Sequence, residues 1–164
     1  MTEPLTLRLL LLALALAGLA ACGASPDPAE VVAHSAAARQ PATLDADGLR
    51  ISASLVPSAS LSPAIAGRYG VDRSRQAQLL LVGLREGPPA AEVPVQGTVT
   101  ARARDLRGVW QEVPLREVRS EGFIDYAGSV RADPPDTLSV EVRVQRDAAA
   151  APAVLRFSRD VLAQ

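Results

Sequence analysis

Nucleophilic chemistry in this chain would have to start from one thiol and one imidazole, since Cys22 and His34 are the only cysteine and histidine in 164 residues. A thiol or hydroxyl nucleophile needs a base within hydrogen-bond reach. His34 stands in an Ala- and Pro-rich stretch ahead of the part of the chain that patterns as a domain, which leaves that domain without an imidazole base. It reads as a solvated side chain rather than a metal ligand or general base, because no second imidazole is present to complete a site. Copper handling would call for Met and His clusters, yet Met1 is the only methionine. Phosphate-cradling glycine loops and dinucleotide fingerprints are also missing. The expectation is a protein without metal or cofactor.

Paired carboxylates are the remaining catalytic device. Glu112, Glu117, Glu121 and Asp125 lie near one another in sequence, and glycosidase-type work would need two of them held at a fixed separation in a cleft. Arg116 and Arg119 alternate with them, which favours a solvated face of charge partners. Three further residues are candidates for binding. Tyr69 and Arg73 flank a helix-to-strand junction, where core packing and a capping or ion-pair role is expected ahead of ligand contact. Trp110, the only tryptophan, could be an exposed anchor, but burial across the domain is the reading preferred for it.

Cys22 has a different chemistry in prospect. Residues 9–19 form an uninterrupted apolar run behind Arg8, of signal-peptide length and short of the ~20 residues that a spanning helix needs. Leu19-Ala20-Ala21-Cys22 follows, the pattern of a bacterial lipobox. Small residues before the thiol let a lipoprotein signal peptidase reach the bond, and the thiol carries the diacylglyceryl group. Residues 1–21 are thus expected to be a lipoprotein signal peptide. Cys22 becomes the lipidated first residue, and acyl chains worth ~0.8 kcal/mol per buried methylene hold it on the membrane. Gly23, where a retention signal would place Asp, predicts the outer membrane, with the protein facing the periplasm. No intramolecular disulfide can form from a single cysteine.

Residues 22–47 hold no sustained period and several prolines, and are expected to be a flexible tether. The formal net charge of −1 gives no global field towards nucleic acid. Every basic residue is Arg, with Lys and Asn absent, as the codon bias of a GC-rich genome would produce.

The elements that would position these residues begin at Gly48. Residues 48–56 alternate with Leu49, Ile51, Ala53 and Leu55 on one face. Ser62-Pro63 reads as an N-cap followed by proline at the first helical position, with Gly70 as the stop. Residues 78–84 form an apolar run suited to a central strand. Residues 93–104 alternate with Val95, Val99, Ala101 and Ala103 inward, then turn at Asp105-Leu106-Arg107-Gly108 into a partner strand over 109–118, where Pro114 suggests an edge. Strands over 122–131, 137–146 and 153–161 complete about seven, with Leu138, Val140, Val142 and Val144 sharing one face. This pattern, without a βαβ rhythm, predicts an all-β fold: an antiparallel, immunoglobulin-like β-sandwich over residues 48–164 with one short helix, with an open barrel as the alternative.

Leu61-Ser62-Pro63-Ala64-Ile65-Ala66-Gly67-Arg68-Tyr69-Gly70, leading through Arg73-Ser74-Arg75 into the apolar strand, resembles a family of exported bacterial proteins, domain of unknown function 4426. The turn at Leu106-Arg107-Gly108, the segment Leu115-Arg116-Glu117-Val118 and the strand with Tyr126 extend the likeness over most of the chain from Gly48. Asp105 stands where the family pattern carries Asn, and Cys22 adds a lipid anchor that many relatives lack. The resemblance implies an envelope protein and this fold, and brings no activity. The expected role is therefore a non-catalytic binding or interaction module of the cell envelope, held on the membrane through Cys22, with an envelope protein or glycan as partner. A carboxylate-dependent hydrolase acting on an envelope polymer is the alternative.

Overall fold

Asp47 and Gly48 take φ values of 50° and 78°, the left-handed pair that closes a two-residue hairpin matching the twist of its strands. Around it, β1 (Ala42–Ala46) runs antiparallel to β2 (Leu49–Pro57), with Ala46 opposite Leu49. This strand corrects the tether expected over residues 22–47, whose last residues are part of the domain. Ala42 and Leu44 pack against the core, while Thr43 and Asp45 point outward on the alternate positions. The computed structural model describes residues 40–146 and 151–163, so the expectations for residues 1–21, Cys22 and His34 fall outside the described residues.

A 3-10 turn at Ser58–Ser60 follows β2, then α1 (Pro63–Tyr69) and β3 (Ala77–Glu86). The remaining strands are β4 (Val93–Pro94), β5 (Thr98–Arg104), β6 (Trp110–Val113), β7 (Arg116–Ser120), β8 (Phe123–Arg131), β9 (Asp136–Gln145) and β10 (Ala153–Val161). They form two antiparallel sheets. The first runs β1-β2-β3-β8-β7, with β4 pairing the end of β3; the second runs β10-β9-β5-β6. The chain is an all-β sandwich, as its alternation predicts.

Ten strand segments stand among the described residues where about seven were expected. Besides β1, the difference lies in two expected strands that each divide between the sheets. Residues 93–104 pair first with β3 and then, beyond Gly97, with β9. Residues 109–118 pair with β5 and then, beyond Pro114, with β8. Proline donates no ladder hydrogen bond, and Pro94 and Pro114 stand at the two crossings. Pro114 thus marks a change of sheet, and the strands on either side of it, β6 and β7, are each the edge of their sheet, the edge position that the proline suggests.

The core lies between the sheets. Leu49, Ile51, Ala53, Leu80, Val82, Leu84, Tyr126 and Val130 meet Ala101, Ala103, Val113, Leu138, Val140, Val142, Val144 and Leu155. These are the inward faces that the period-two pattern assigns, and each fully buried Leu, Ile or Val contributes roughly 1.5–3 kcal/mol. Tyr126 carries a hydroxyl into this core and places it where the backbone N–H of Gly97 donates to it at 3.0 Å. That bond ties the first crossing to β8.

The short helix forms as its caps dictate. The Ser62 hydroxyl accepts from the N–H of Ile65 at 3.3 Å, Pro63 opens the first turn, and Gly70 ends the helix at φ 54°. Its carbonyls at Arg68 and Tyr69 accept from the Arg116 guanidinium at 2.9 and 3.1 Å, a cationic cap from the facing edge strand β7.

Candidate functional site

The outer face of the second sheet carries a trough lined by polar and charged side chains. Because residues paired across strands share a face, the register writes this surface as transverse rows. One row is Trp110 on β6, Arg104 on β5, Ser139 on β9 and Ser158 on β10. The next is Glu112, Arg102, Glu141 and Arg156. Two serines in a row otherwise built of long side chains leave a trough of about 400 Å3, lined by Arg104, Trp110, Ser139, Glu141, Arg156 and Ser158 among others.

Glu141 anchors one wall. It is only 5% exposed although it stands on an outer face, because three arginines close over it. Its carboxylate accepts from Arg156 at 2.8 Å, Arg143 at 2.9 Å and Arg102 at 3.1 Å. The hydrogen bonds from Arg156 and then Arg143 hold its pKa down to about 2, against a smaller opposing push from desolvation. A carboxyl so held stays ionised at neutral pH and has no proton to give as a general acid. One carboxylate shared among three guanidiniums also leaves the cluster positively charged.

Arg104 differs from these three. Its guanidinium lies 5.2 Å from the Trp110 ring centroid, and that of Arg102 lies 4.2 Å from it. Among the described residues Arg104 has no carboxylate or carbonyl partner, so its donors face the trough unused. On the floor, the Ser139 and Ser158 hydroxyls sit 3.2 Å apart. The far side carries Thr137, whose hydroxyl donates to Asp160 at 2.8 Å. No imidazole or amine stands by the serines in this row, so the arrangement offers hydrogen bonds and positive charge rather than an activated nucleophile.

Trp110 is 44% exposed, which corrects the expectation that it is buried across the sandwich. The two hairpin residues that pair directly, Arg104 and Trp110, both point outward from the register that the turn at 105–108 imposes. Tyr69 and Arg73 lie elsewhere. The Tyr69 hydroxyl donates to Asp125 at 3.0 Å on the outer face of the first sheet, and burial followed by that carboxylate raises its pKa. Arg73 donates to the carbonyl of Ala59 at 3.2 Å. Both therefore hold the α1 segment, and neither approaches Trp110.

The four carboxylates are not brought together. Glu112 is on the outer face of the second sheet, and Glu121 is in the turn between β7 and β8. Asp125 holds Tyr69. Glu117 accepts from Gln96, Arg119 and Tyr126, and hydrogen bonds from Gln96 and then Arg119 lower its pKa. Arg119 is the charge partner expected for it, whereas Arg116 serves the end of α1. Among the described residues no group of three His, Cys, Asp or Glu side chains could hold a metal ion.

The sequence reading missed Arg104, Ser139, Ser158, Glu141 and Arg156 as a set. Each is the outward neighbour of an inward residue that alternation identifies, but their meeting depends on β9 lying between β5 and β10.

The profile of a domain of unknown function, DUF4426, matches residues 43–163. The chain belongs to the DUF4426 family. That match starts inside β1, in keeping with a domain that begins before Gly48. A crystal structure of a DUF4426 family protein from Pseudomonas aeruginosa PAO1 is similar to it, with 22% identity, a TM-score of 0.64, and 76% of this chain and 96% of that chain covered. FetP from uropathogenic Escherichia coli strain F11 has a similar fold. Its copper-bound variant gives 10% identity and a TM-score of 0.55 over 76% of this chain and 98% of that one. The as-isolated form, expressed recombinantly in the periplasm, gives 11% identity and a TM-score of 0.56 over 76% and 96%. At these identities the likeness is one of fold. None of the curated proteins matches this DUF4426 chain in sequence.

Proposed function

We propose that this DUF4426 protein is a non-catalytic binding module of the bacterial envelope, which captures an envelope component on the outer face of its second sheet. The observation that carries the reading is the guanidinium of Arg104, which among the described residues has no carboxylate or carbonyl partner and lies by the ring of an exposed Trp110 at the rim of a hydroxyl-floored trough. Arg and Trp are the residues most enriched at binding hot spots. The dispersed carboxylates, each engaged or solvated, support binding over hydrolysis.

The location belongs to the same proposal. The lipobox at Cys22 supports lipidation, a membrane-held N-terminus and a domain facing the periplasm, with Gly23 favouring the outer membrane. The periplasmic expression of FetP accords with that compartment. The copper of the FetP variant is not carried over, since this chain's only histidine and cysteine are residues 34 and 22.

The test is photocrosslinking in intact cells from a probe placed at residue 139, with a probe at residue 54 on the opposite sheet as the control. A discrete adduct from 139 alone is expected, weakened by Arg104→Ala. Equal adducts from both positions, or none from 139, would sink the binding face. Labelling with an alkyne fatty acid tests the anchor separately: wild type should incorporate it and Cys22→Ala should not.

A further inference from the structure

We infer that the trough between Trp110 and Ser158 takes an acidic oligosaccharide, with a sugar ring over the indole and hydroxyl floor and its acid group on Arg104. This rests on the binding reading above and names the ligand class. Three features of the surface select that chemistry.

The first is the position of the floor. β9 has β5 on one side and β10 on the other, so its backbone donors and acceptors are committed to ladders on both edges. A peptide that binds by adding a strand needs a free edge. Laid across this face it would bring its own amide groups to a surface that offers two hydroxyls. A sugar needs no ladder, because its hydroxyls donate and accept alike and match Ser139 and Ser158.

The second is the aromatic end. An indole presents an apolar face that packs against the C–H face of a pyranose while its edge stays in water. Trp110 stands across the sheet from Ser158 in the same row, so a ligand extended along the row touches both. The trough volume of about 400 Å3 lies in the ~300–1,000 Å3 range of small-molecule sites.

The third is charge. Arg102, Arg143 and Arg156 surround one carboxylate, Glu141, with Glu112 beside Arg102, and Arg104 has no acidic partner among the described residues. A neutral sugar would offer the Arg104 donors only uncharged hydroxyl oxygens, whereas a carboxylate or phosphate accepts from the guanidinium in paired, charge-assisted bonds of about twice the strength. Asp160, on the other side of the serines, repels an anion there and confines the acid group to the Trp110 end.

The experiment exploits Trp110 as the only tryptophan of the chain. Its emission in the full-length protein in detergent is followed while tetragalacturonate, maltotetraose, hexaglutamate or sodium phosphate is added, with calorimetry in parallel. Tetragalacturonate should give a saturable change that weakens with salt. Arg104→Ala should weaken it about tenfold or more, as expected for losing a charge-assisted contact. Among the described residues the Arg104 side chain makes no hydrogen bond that the fold needs, and circular dichroism checks that the variant is folded.

Equal binding of maltotetraose overturns the acidic requirement, and equal binding of phosphate alone overturns the saccharide. Tighter binding of hexaglutamate overturns the ligand class but leaves the binding face standing. No response to any of the four at millimolar concentration overturns this inference, and the crosslinking from residue 139 then decides the binding reading by itself.

Discussion

Gly128 faces the carbonyl oxygen of Pro114 so closely that a Cβ at 128 would lie 2.8 Å from it, with the Val113 and Leu115 side chains at 2.8 and 2.9 Å. The second crossing between sheets therefore runs directly over β8 and is possible because residue 128 has no side chain. Gly128→Ala should destabilise by roughly 1–3 kcal/mol, the range for overpacking a tight site. Gly67 is the counter-case, an α1 residue with nothing within 4 Å of its would-be Cβ. Gly67→Ala should raise stability by about 0.5–1 kcal/mol through helix propensity. Urea unfolding of the two variants checks both signs together.

Glu141 should make the fold acid-sensitive in a defined window. Its carboxyl is held well below its ordinary 4.5, at about 2, so the folded state binds fewer protons than the unfolded one between those values. The stability it contributes is fully present above the ordinary value and is lost as pH falls towards 2. Asp45, Asp105 and Glu117 are lowered too and add to the same acid limb. Glu141→Gln should flatten part of that limb in melting curves taken from pH 6 down. It should also leave three neighbouring guanidiniums without their carboxylate, so added salt should stabilise the variant more than wild type. Parallel pH and salt profiles for the two proteins would remove this assignment.

Much of the fold was legible because alternation is a local property. Leu138, Val140, Val142 and Val144 declare an inward face on their own, and Ser62, Pro63 and Gly70 bound a helix by local stereochemistry. The crossings were not legible in the same way. Residues 93–104 keep their alternation while changing sheets, so only pairing partners reveal the break at Gly97. β1 had a local signal, the Asp47-Gly48 pair, which the poor patterning of residues 22–47 masked. The candidate site was the least accessible part. Trp110 looked like core in an aromatic-poor chain, and the row from Trp110 to Ser158 joins four strands that are distant in sequence.

Arg116 should prove to be the fastener of α1. With both donated bonds on the carbonyls of Arg68 and Tyr69, Arg116→Ala should cost about 1 kcal/mol and speed hydrogen exchange at the amides of Gly70 and Val71. Arg116→Lys should restore only part of the protection, because an ammonium cannot span two carbonyls as the planar fork does. Exchange rates unchanged in the alanine variant would show that the helix end holds without it.

Tyr69 fixes the same segment from the other side, and its titration gives a test in alkali. The hydroxyl donates to Asp125, and burial together with that carboxylate raises its pKa above the ordinary 10.0. An acid whose folded pKa is raised contributes stability that is complete below its unfolded value and is lost as pH rises through the folded one. Wild type should therefore lose stability above about pH 10 faster than Tyr69→Phe, which cannot ionise there. At neutral pH the phenylalanine variant should be weaker by about 1 kcal/mol for the missing hydrogen bond. The two stability curves should converge as pH rises. Trp110 emission should be the same in both proteins, since Tyr69 acts on the opposite sheet; a shifted emission would mean that the two faces communicate through the core.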